Sequence, residues 1–318
     1  MLKKFLLFLF SAFVLNTAYG QAEIANTVPF VAYWSVGDTF QFKVRKISIQ
    51  WDDDILVKAD TLYRDVRFKV IDSTASMYKV EWRYVNEFQD DPLVKNVFNE
   101  LTRNNAYTKV IYTTDEMGEF QGVENWKEIR DDLIGELKAA MKGKLFKKEH
   151  EEAMYKKAMQ PIIEAYSTKA GVEELALKEL YYFHMPLGYE YTIDEVYEYE
   201  DVLPSLIGGE DMRCDYKITV DNIDRQNGIC RVTEEMKVNP DDSKREVLSM
   251  MERMGIAYDK FSEEINGAKL NMEDFNTYIY NFDYGLPITI NTSRMVDLQI
   301  EGEKRRKEEK IIIDLIFD

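Results

Sequence analysis

The sequence predicts an α+β protein in which antiparallel sheets are interrupted by a block of helices. Two observations lead to this prediction. Apolar and polar residues alternate with a period of two through most of residues 38–114 and 189–283, which is typical of half-buried antiparallel strands. The intervening residues 124–184 instead carry apolar residues at helical spacing.

A third observation is that the strand pattern occurs twice. Residues 36–44 read VGDTFQFKV and residues 187–196 read LGYEYTIDEV, and a hairpin pattern follows each. A further pair of blocks reads YTTDEMGEF at 112–120 and YNFDYGLPI at 280–288. Three blocks in the same order predict an internal duplication.

The alternation predicts a meander in each half. We expect strands at about 38–50, 61–72, 77–87 and 106–114, and again at about 189–200, 211–222, 229–238 and 276–283. A last hairpin is predicted around Glu301-Gly302, with residues 311–317 as its return strand. Lys304-Arg305-Arg306-Lys307 lie near its turn, where we expect a solvated tip, with a docking patch as the alternative.

The helical block begins after Asn125, which together with Glu128 matches a capping box. Pro161 is expected to kink the second helix of the block. Helical spacing also predicts a helix at about 242–254 and a short one at 257–266.

These patterns divide the chain into four segments. They are a signal peptide at 1–20, a first antiparallel β unit at 21–123, a helical block at 124–185, and a second antiparallel β unit at 186–318 with a helical insertion at about 242–266. The two β units are expected to be curved and half-barrel-like, and the helices to cover their apolar surface.

Residues 1–20 have the order of a secretory signal peptide. Met1-Leu2-Lys3-Lys4 is basic, Phe5 to Leu15 is apolar apart from one serine, and Ala18-Tyr19-Gly20 places small residues at the cleavage site. The apolar run is shorter than the ~20 residues of a membrane span. We therefore expect cleavage near Gly20/Gln21, export to the periplasm or the extracellular space, and no integral membrane segment in the mature chain.

The charge of the chain restricts its partners. The formal net charge is −17, and loss of Lys3 and Lys4 with the signal peptide would make it −19. Nucleic-acid binding needs a cationic face, so a nucleic-acid partner is not expected. Adsorption to anionic lipid head groups is disfavoured for the same reason.

Cys214 and Cys230 are the only cysteines of the sequence. In a hairpin turning at Asp224–Gly228, Cys230 lies opposite about residue 222, which places Cys214 roughly 26 Å further along the strand at ~3.3 Å per residue. A disulfide needs Cα atoms within about 7 Å. We expect two buried free thiols.

Catalytic signatures are absent from the sequence. It has no Gly-x-Ser-x-Gly elbow, no phosphate-binding glycine loop and no dinucleotide fingerprint. No pattern orients His150 or His184 for catalysis, and His184 is expected to cap a helix end. Asp52-Asp53-Asp54 are expected to form a solvated turn, because a calcium loop needs alternating ligands and a glycine bend; weak cation binding is the alternative. We assign no catalytic, cofactor-binding or metal-binding residue.

Aromatic residues are abundant, with 20 Tyr, 17 Phe and 4 Trp. Tyrosine and tryptophan line many concave binding sites, and they serve equally as ordinary core and cross-strand pairs. The candidate ligand-lining residues are Phe40, Phe42, Trp82, Tyr84, Tyr191, Tyr216, Tyr278 and Tyr280.

The two strand units resemble a known kind of exported protein. VGDTFQFKV with VRFKVIDSTASMYKVEWRY, and LGYEYTIDEV with YKITVDNIDRQNGICRV, resemble exported bacterial proteins of unknown function. Many of these are similar to the curved half-barrel of periplasmic lipoprotein carriers. The resemblance covers about two thirds of the mature chain and implies an apolar, concave sheet face capped by helices. It assigns no functional residue.

Three functional hypotheses follow. The first is an exported, non-enzymatic protein that binds an apolar ligand or an envelope protein through a concave sheet face. The second is an envelope interaction or structural protein without a small-molecule site, which would expose an apolar patch. The third is a hydrolase with two carboxylates, which would bring Asp or Glu side chains together in a cleft with a raised pKa.

Overall fold

The computed structural model describes residues 26–85, 109–142, 149–205, 209–253, 267–300 and 302–317. Their architecture is α+β, as the sequence predicts. The strands are β1 (Thr27–Pro29), β2 (Thr39–Asp52), β3 (Ile55–Thr74), β4 (Met77–Val85), β5 (Lys109–Asp115), β6 (Phe120–Val123), β7 (Glu190–Thr192), β8 (Val196–Leu203), β9 (Met212–Asp224), β10 (Ile229–Val238), β11 (Lys269–Asn281), β12 (Leu286–Ile300) and β13 (Glu303–Leu315).

One large open sheet dominates the fold. Its eleven strands run in the order β6-β5-β4-β3-β2-β13-β12-β11-β10-β9-β8, and every neighbouring pair is antiparallel. Strands β2 to β6 form one meander and strands β8 to β13 form another. The two join where β13 pairs with β2, so one continuous sheet contains both predicted β units. The duplication itself and the domain boundaries stay predictions.

Two strand predictions need correction. The predicted strand at 189–200 is broken by a turn at Asp194, whose φ of 60° lies in the left-handed region. Its first part, β7, pairs with β1 in a separate two-stranded sheet, and only its second part, β8, joins the large sheet. The return strand predicted at 311–317 already begins at Glu303, so Lys304–Lys307 lie near the turn and within β13, where Arg305 to Lys307 pair with Asp52 to Gln50 of β2.

The helices lie between the two meanders in the chain, with one more after β10. They are α1 (Trp126–Lys142), α2 (Glu149–Tyr166), α3 (Lys169–Gly171), a π-helical turn (Val172–Ala176), α4 (Lys178–His184) and α5 (Pro240–Arg253). Pro161 lies inside α2. The predicted helix at 257–266 falls outside the described residues, as does the predicted signal peptide.

The residues of the capping box predicted before α1 bind each other, since the Asn125 amide donates to the Glu128 carboxylate at 3.5 Å, but the Asn125 oxygen binds the sheet instead of the helix. The side-chain oxygen of Asn125 accepts a hydrogen bond from the backbone N–H of Ile111 at 2.8 Å. Its amide nitrogen donates to the backbone oxygen of Lys109 at 3.0 Å. Asn125 therefore ties the start of α1 to β5, because the strand edge offers a donor and an acceptor at the same place.

The main core lies between the sheet face and the segment that contains α4. The Phe42 ring stacks on Trp82 with ring centroids 6.1 Å apart, and Phe183 of α4 meets Trp82 edge-on at 5.3 Å. All three side chains are fully buried. Aromatic rings of this size contribute most of the apolar area that the fold removes from water.

The cysteine prediction is confirmed. Cys214 lies opposite Val238 in the β9–β10 pair, and Cys230 lies at the far end of the same hairpin. Both are free and buried. Burial raises the pKa of the Cys230 thiol to about 12, which keeps it protonated and unreactive at neutral pH.

Among the described residues, no helix is both long enough and apolar enough to cross a membrane.

Candidate functional site

Two adjoining cavities lie between the large sheet and the helical segment 172–184. We call the first the methionine cavity; it has a volume of about 580 Å³ and its apolar lining includes Leu203, Met212, Tyr216, Met236 and Met272. We call the second the basic cavity; it has a volume of about 870 Å³ and its lining includes Lys46, Arg64, Lys178, Arg294 and Lys310. Lys178, Tyr182 and Arg294 line both cavities, which therefore meet at these three side chains.

The strand registers place charged residues beside one another beneath the cavities. Asp274 lies opposite Arg294 across β11 and β12, and Arg294 lies opposite Glu309 across β12 and β13. In the neighbouring row of the sheet, Glu234 lies opposite Asn276. We call these five residues the polar belt. Side chains directly opposite one another in a sheet interact most strongly, so the belt is a product of register.

The apolar wall of the methionine cavity is a small cluster apart from the main core. Met212, Cys214, Met236 and Val238 are buried together, with Leu203, Tyr216 and Met272 packed against them. The Tyr216 ring stacks on Tyr199 of β8 at 5.1 Å with an interplanar angle of 3°. Methionine is unbranched and polarisable, so a wall rich in it adapts to ligands of different shape.

Glu234 is a buried acid in the floor of the methionine cavity. Its side chain is 3% exposed and accepts hydrogen bonds from Asn276 at 2.8 Å and from the Tyr278 hydroxyl at 3.0 Å. Burial raises the pKa of Glu234, and the two hydrogen bonds offset part of that rise. The carboxyl group is therefore easier to protonate than a surface glutamate.

Arg294 is held rigidly by the neighbouring strand. It donates two hydrogen bonds to the two carboxylate oxygens of Asp274, each at 2.7 Å. Burial opposes the charge of Arg294, but these hydrogen bonds outweigh burial and raise its pKa. The planar, bidentate geometry fixes the guanidinium between the two cavities.

Lys178 is the second cation at the junction of the two cavities. Within the described residues, its amine makes no hydrogen bond or ion pair within normal distance. Burial lowers the pKa of Lys178, and the nearby charge of Arg294 lowers it further. An amine in this position gains an ion pair if an anionic group enters the cavity.

A second ion pair lies beside the basic cavity. The Lys46 amine donates to Glu179 of α4 at 2.7 Å, and Glu179 also accepts from the Tyr84 hydroxyl at 2.5 Å. Glu179 is fully buried. Burial raises its pKa, but the Lys46 charge and these hydrogen bonds outweigh burial, so the net shift is downward and the carboxylate stays ionised.

The eight predicted ligand-lining residues lie in two different places in the structure. Tyr216 lines the methionine cavity. The other seven lie in the main core or packed against it: Phe40, Phe42, Trp82, Tyr84, Tyr191, Tyr278 and Tyr280. Among them, Tyr84 and Tyr278 donate hydrogen bonds to Glu179 and Glu234, and so support the site from the side of the core. A direct ligand contact of these seven stays a prediction.

Sequence reasoning missed the charged residues of the site. Glu234 occupies the apolar face of its strand between Val232 and Met236, and Lys46 follows Phe42 and Val44 on the same face of β2. A charge on an otherwise apolar strand face is the signal that could have found them, since such residues are rarely buried without a partner.

His184 does not cap the end of α4 as predicted, because both of its ring nitrogens bind groups outside the helix. Its ring nitrogens lie 2.8 Å from the Gly118 backbone oxygen and 2.9 Å from the Tyr112 hydroxyl. Burial lowers the pKa of His184 to about 4, so the ring is neutral at pH 7. It lies in the core because the last turn of α4 packs directly onto the sheet. His150 lies in α2, and its side chain is outside the described part of the structure.

The turn at Asp52-Asp53-Asp54 lies between β2 and β3 and is hydrogen-bonded to the start of β13. Asp53 and Asp54 form a turn, as predicted, and adopt left-handed φ angles of 48° and 63°. The Asp53 carboxylate accepts a hydrogen bond from the backbone N–H of Lys304 at 2.9 Å, which ties the turn to β13. Across the described ranges, no three His, Cys, Asp or Glu side chains are grouped so as to hold a metal ion.

Comparisons with known proteins give limited likenesses. The chain matches no protein-family model, and no curated protein matches it. Among solved structures it is similar to lipovitellin, studied for lipid–protein interactions, with a TM-score of 0.42 and 7% identity over 89% of this chain and 25% of that one. It is also similar to Ail, the attachment invasion locus protein of Yersinia pestis, with a TM-score of 0.15 and 4% identity over 89% of this chain and 100% of that one. The chain thus spans a quarter of the lipovitellin chain, and neither likeness assigns a function.

Proposed function

We propose that this protein is a non-enzymatic binding protein whose ligand places an apolar group in the methionine cavity. The observation that carries the proposal is the cavity itself: about 580 Å³ with an apolar wall of Leu203, Met212, Met236 and Met272. Cavities of roughly 300–1,000 Å³ are the usual scale of small-molecule sites. Three of these four side chains are methionines. Methionine is flexible and defines a unique core packing less well than branched apolar residues, so tight packing alone does not account for this wall.

The polar belt supports a ligand with two chemically different ends. Glu234, Asp274 and Arg294 lie at the floor of the same cavity whose wall is apolar. These groups already have hydrogen-bond partners, but an entirely apolar molecule would still displace water from the Lys178 amine at the same cavity without offering it a partner, which costs free energy. An amphipathic ligand avoids this cost, since its polar end meets the belt and its apolar end meets the methionines.

We also propose that the protein acts after export. The support is the order of residues 1–20, basic, then apolar, then small. The test is intact mass measurement of the protein purified from its own host. A chain that begins at Gln21 is expected, and a chain that still begins at Met1 would contradict export by cleavage.

The binding proposal is tested by occupying the cavity. Native mass spectrometry of protein from its own host is expected to show a bound small molecule, and an environment-sensitive apolar dye is expected to bind and be displaced by that molecule. Leu203→Trp on the edge strand β8 would fill the cavity, and we expect dye affinity to fall at least about tenfold. Val196→Trp is the matched control, because Val196 is an exposed apolar residue of the same strand outside the cavity lining. Equal dye binding by both variants would contradict the proposal.

A carboxylate hydrolase is the second candidate. Glu234 with its raised pKa and Asp274 line one cavity, which is the arrangement the third hypothesis requires. Against it, both carboxylate oxygens of Asp274 already accept a hydrogen bond from the Arg294 guanidinium, which occupies them before any substrate enters. Turnover of a panel of chromogenic glycosides, lost in Glu234→Gln, would favour the hydrolase; absence of turnover across the panel would reject it.

A further inference from the structure

The basic cavity contrasts with the charge of the whole protein. The chain has a formal net charge of −17, yet among the described residues six cationic side chains line this cavity and Asp60 and Glu309 are its acids. The six are Lys46, Lys58, Arg64, Lys178, Arg294 and Lys310. A concentration of one sign of charge in a cleft raises the local potential and attracts a ligand of the opposite sign.

Four of these cations already have partners. Lys46 pairs with Glu179, Lys58 with Asp60, Arg294 with Asp274 and Lys310 with Glu308, each at 2.9 Å or less. The acid Glu309 pairs with Lys307 at 2.6 Å.

Arg64 and Lys178 are the exceptions. Within the described residues neither forms an ion pair, although both line the cavity. The Arg64 guanidinium instead lies over the Tyr84 ring, 4.9 Å from its centroid, which holds it at the cavity wall without neutralising it. The cavity therefore has two positive charges available to a ligand.

The positions of Lys178 and Arg64 suggest how one ligand could occupy both cavities. Lys178 lines both, and Arg64 lies on β3 beyond it on the side away from the methionines. A molecule with its apolar chain in the methionine cavity would place its other end past Lys178 and toward Arg64.

We propose that the basic cavity binds the anionic head group, a phosphate or carboxylate, of an amphipathic ligand, with Arg64 and Lys178 as its cationic contacts. This inference rests on the proposed function and names the class of its ligand. Arg64 offers a planar fork of donors that suits an oxyanion, and Lys178 offers a compact charge.

The experiment compares head groups on one chain length. Binding to the full mature protein is measured by calorimetry below the critical micelle concentration for dodecyl phosphate, dodecanoate, dodecyltrimethylammonium and an uncharged dodecyl glycol ether. We expect the two anionic compounds to bind at least about tenfold more tightly than the uncharged one, and the cationic compound to bind most weakly. Equal affinity for all four would overturn the inference and leave the proposed function intact, whereas no binding of any would contradict both.

Inorganic phosphate separates a lipid-like ligand from a free anion. We expect phosphate alone to bind far more weakly than dodecyl phosphate, because it lacks the part that enters the methionine cavity. If phosphate binds as tightly as dodecyl phosphate, the site serves a free anion and the amphipathic ligand is wrong.

Variants test the two cations directly. Arg64→Gln and Lys178→Gln are each expected to weaken dodecyl phosphate binding about tenfold, the usual effect of losing a charged hydrogen-bond donor, without changing the affinity of the glycol ether. Lys69→Gln is the matched control, since Lys69 is an exposed lysine of the same strand as Arg64 and lies outside the cavity lining. An equal loss in Lys69→Gln would show a general effect of net charge and overturn the assignment.

Discussion

The covered face of the large sheet has two regions that differ sharply in what fills them. At the core end, Phe42, Trp82 and Phe183 pack ring against ring and are fully buried. Elsewhere on this face, the polar belt on β10 to β13 and the two cavities replace them. On β2 the change takes place between Val44 and Lys46, which point to the same face.

This difference teaches that one sheet can keep its most stabilising packing and its candidate binding site in separate regions. The core end removes large aromatic side chains from water, which stabilises the fold. The polar belt buries charges that need partners and leaves space unfilled, and both features cost stability. Destabilising features of this kind persist in proteins mainly where function requires them.

The largest expected difference between the regions is the response to side-chain truncation. Trp82→Ala in the core end should lower the free energy of unfolding by about 3–5 kcal/mol, because it leaves a cavity among rigid rings. Met272→Ala, which enlarges an existing cavity at a partly exposed position, should cost under about 1.5 kcal/mol. Urea unfolding of both variants measures this, and similar losses would show that the two regions are equally packed.

The next difference is how the stability of the fold depends on pH. At the core end, His184 is the residue responsible. Its pKa is about 4 in the fold and 6.5 unfolded, so the unfolded chain binds the proton first. Stability from this group is present above pH 6.5 and is lost as pH falls toward 4, by about 3 kcal/mol in total. His184→Gln should unfold with a shallower dependence of stability on pH over this window, and an unchanged slope would contradict the assignment.

Glu234 in the polar belt should respond to pH with the opposite sign. Its pKa is raised in the fold, so the folded chain binds the proton first. Stability is therefore fully present below the ordinary glutamate pKa of 4.5 and is lost as pH rises through the raised value. We expect a smaller effect than for His184, because Asn276 and Tyr278 hydrogen-bond the carboxylate.

Glu234→Gln measures that effect. The stability of wild type relative to the variant should increase on lowering the pH, as determined from urea unfolding at a series of pH values. A relative stability that decreases on acidification would mean that Glu234 is stabilised in its ionised form.

The smallest expected effect on stability belongs to Lys178. Burial lowers its pKa and thus disfavours its charge, so Lys178→Met should change the free energy of unfolding by less than about 1 kcal/mol, and upward. Thermal and urea unfolding in the absence of ligand test this. A clear loss of stability would show that the amine has a structural partner, and would weaken the contrast between the two regions.

The alternation of residues was enough to predict the class of the fold and most of its strands. It placed β10 at 229–238 and kept Cys214 and Cys230 on one buried face, because a period of two fixes which side chains point to the same side of a strand. It could not detect that the stretch 189–200 breaks at Asp194, because one residue with a left-handed backbone does not alter the alternation of apolar and polar residues.

The site depended on tertiary structure. Which strand follows which across the sheet, and in what register, brings Arg294 between Asp274 and Glu309 although they come from three strands. Alternation marks Tyr278 and Glu234 alike as inward-facing, but only packing decides that the first fills a core and the second faces a cavity. The physical reason is one of range. Which side of a strand a residue points to follows from its immediate neighbours in the sequence, whereas the presence of a cavity depends on how well side chains from distant parts of the chain fit together.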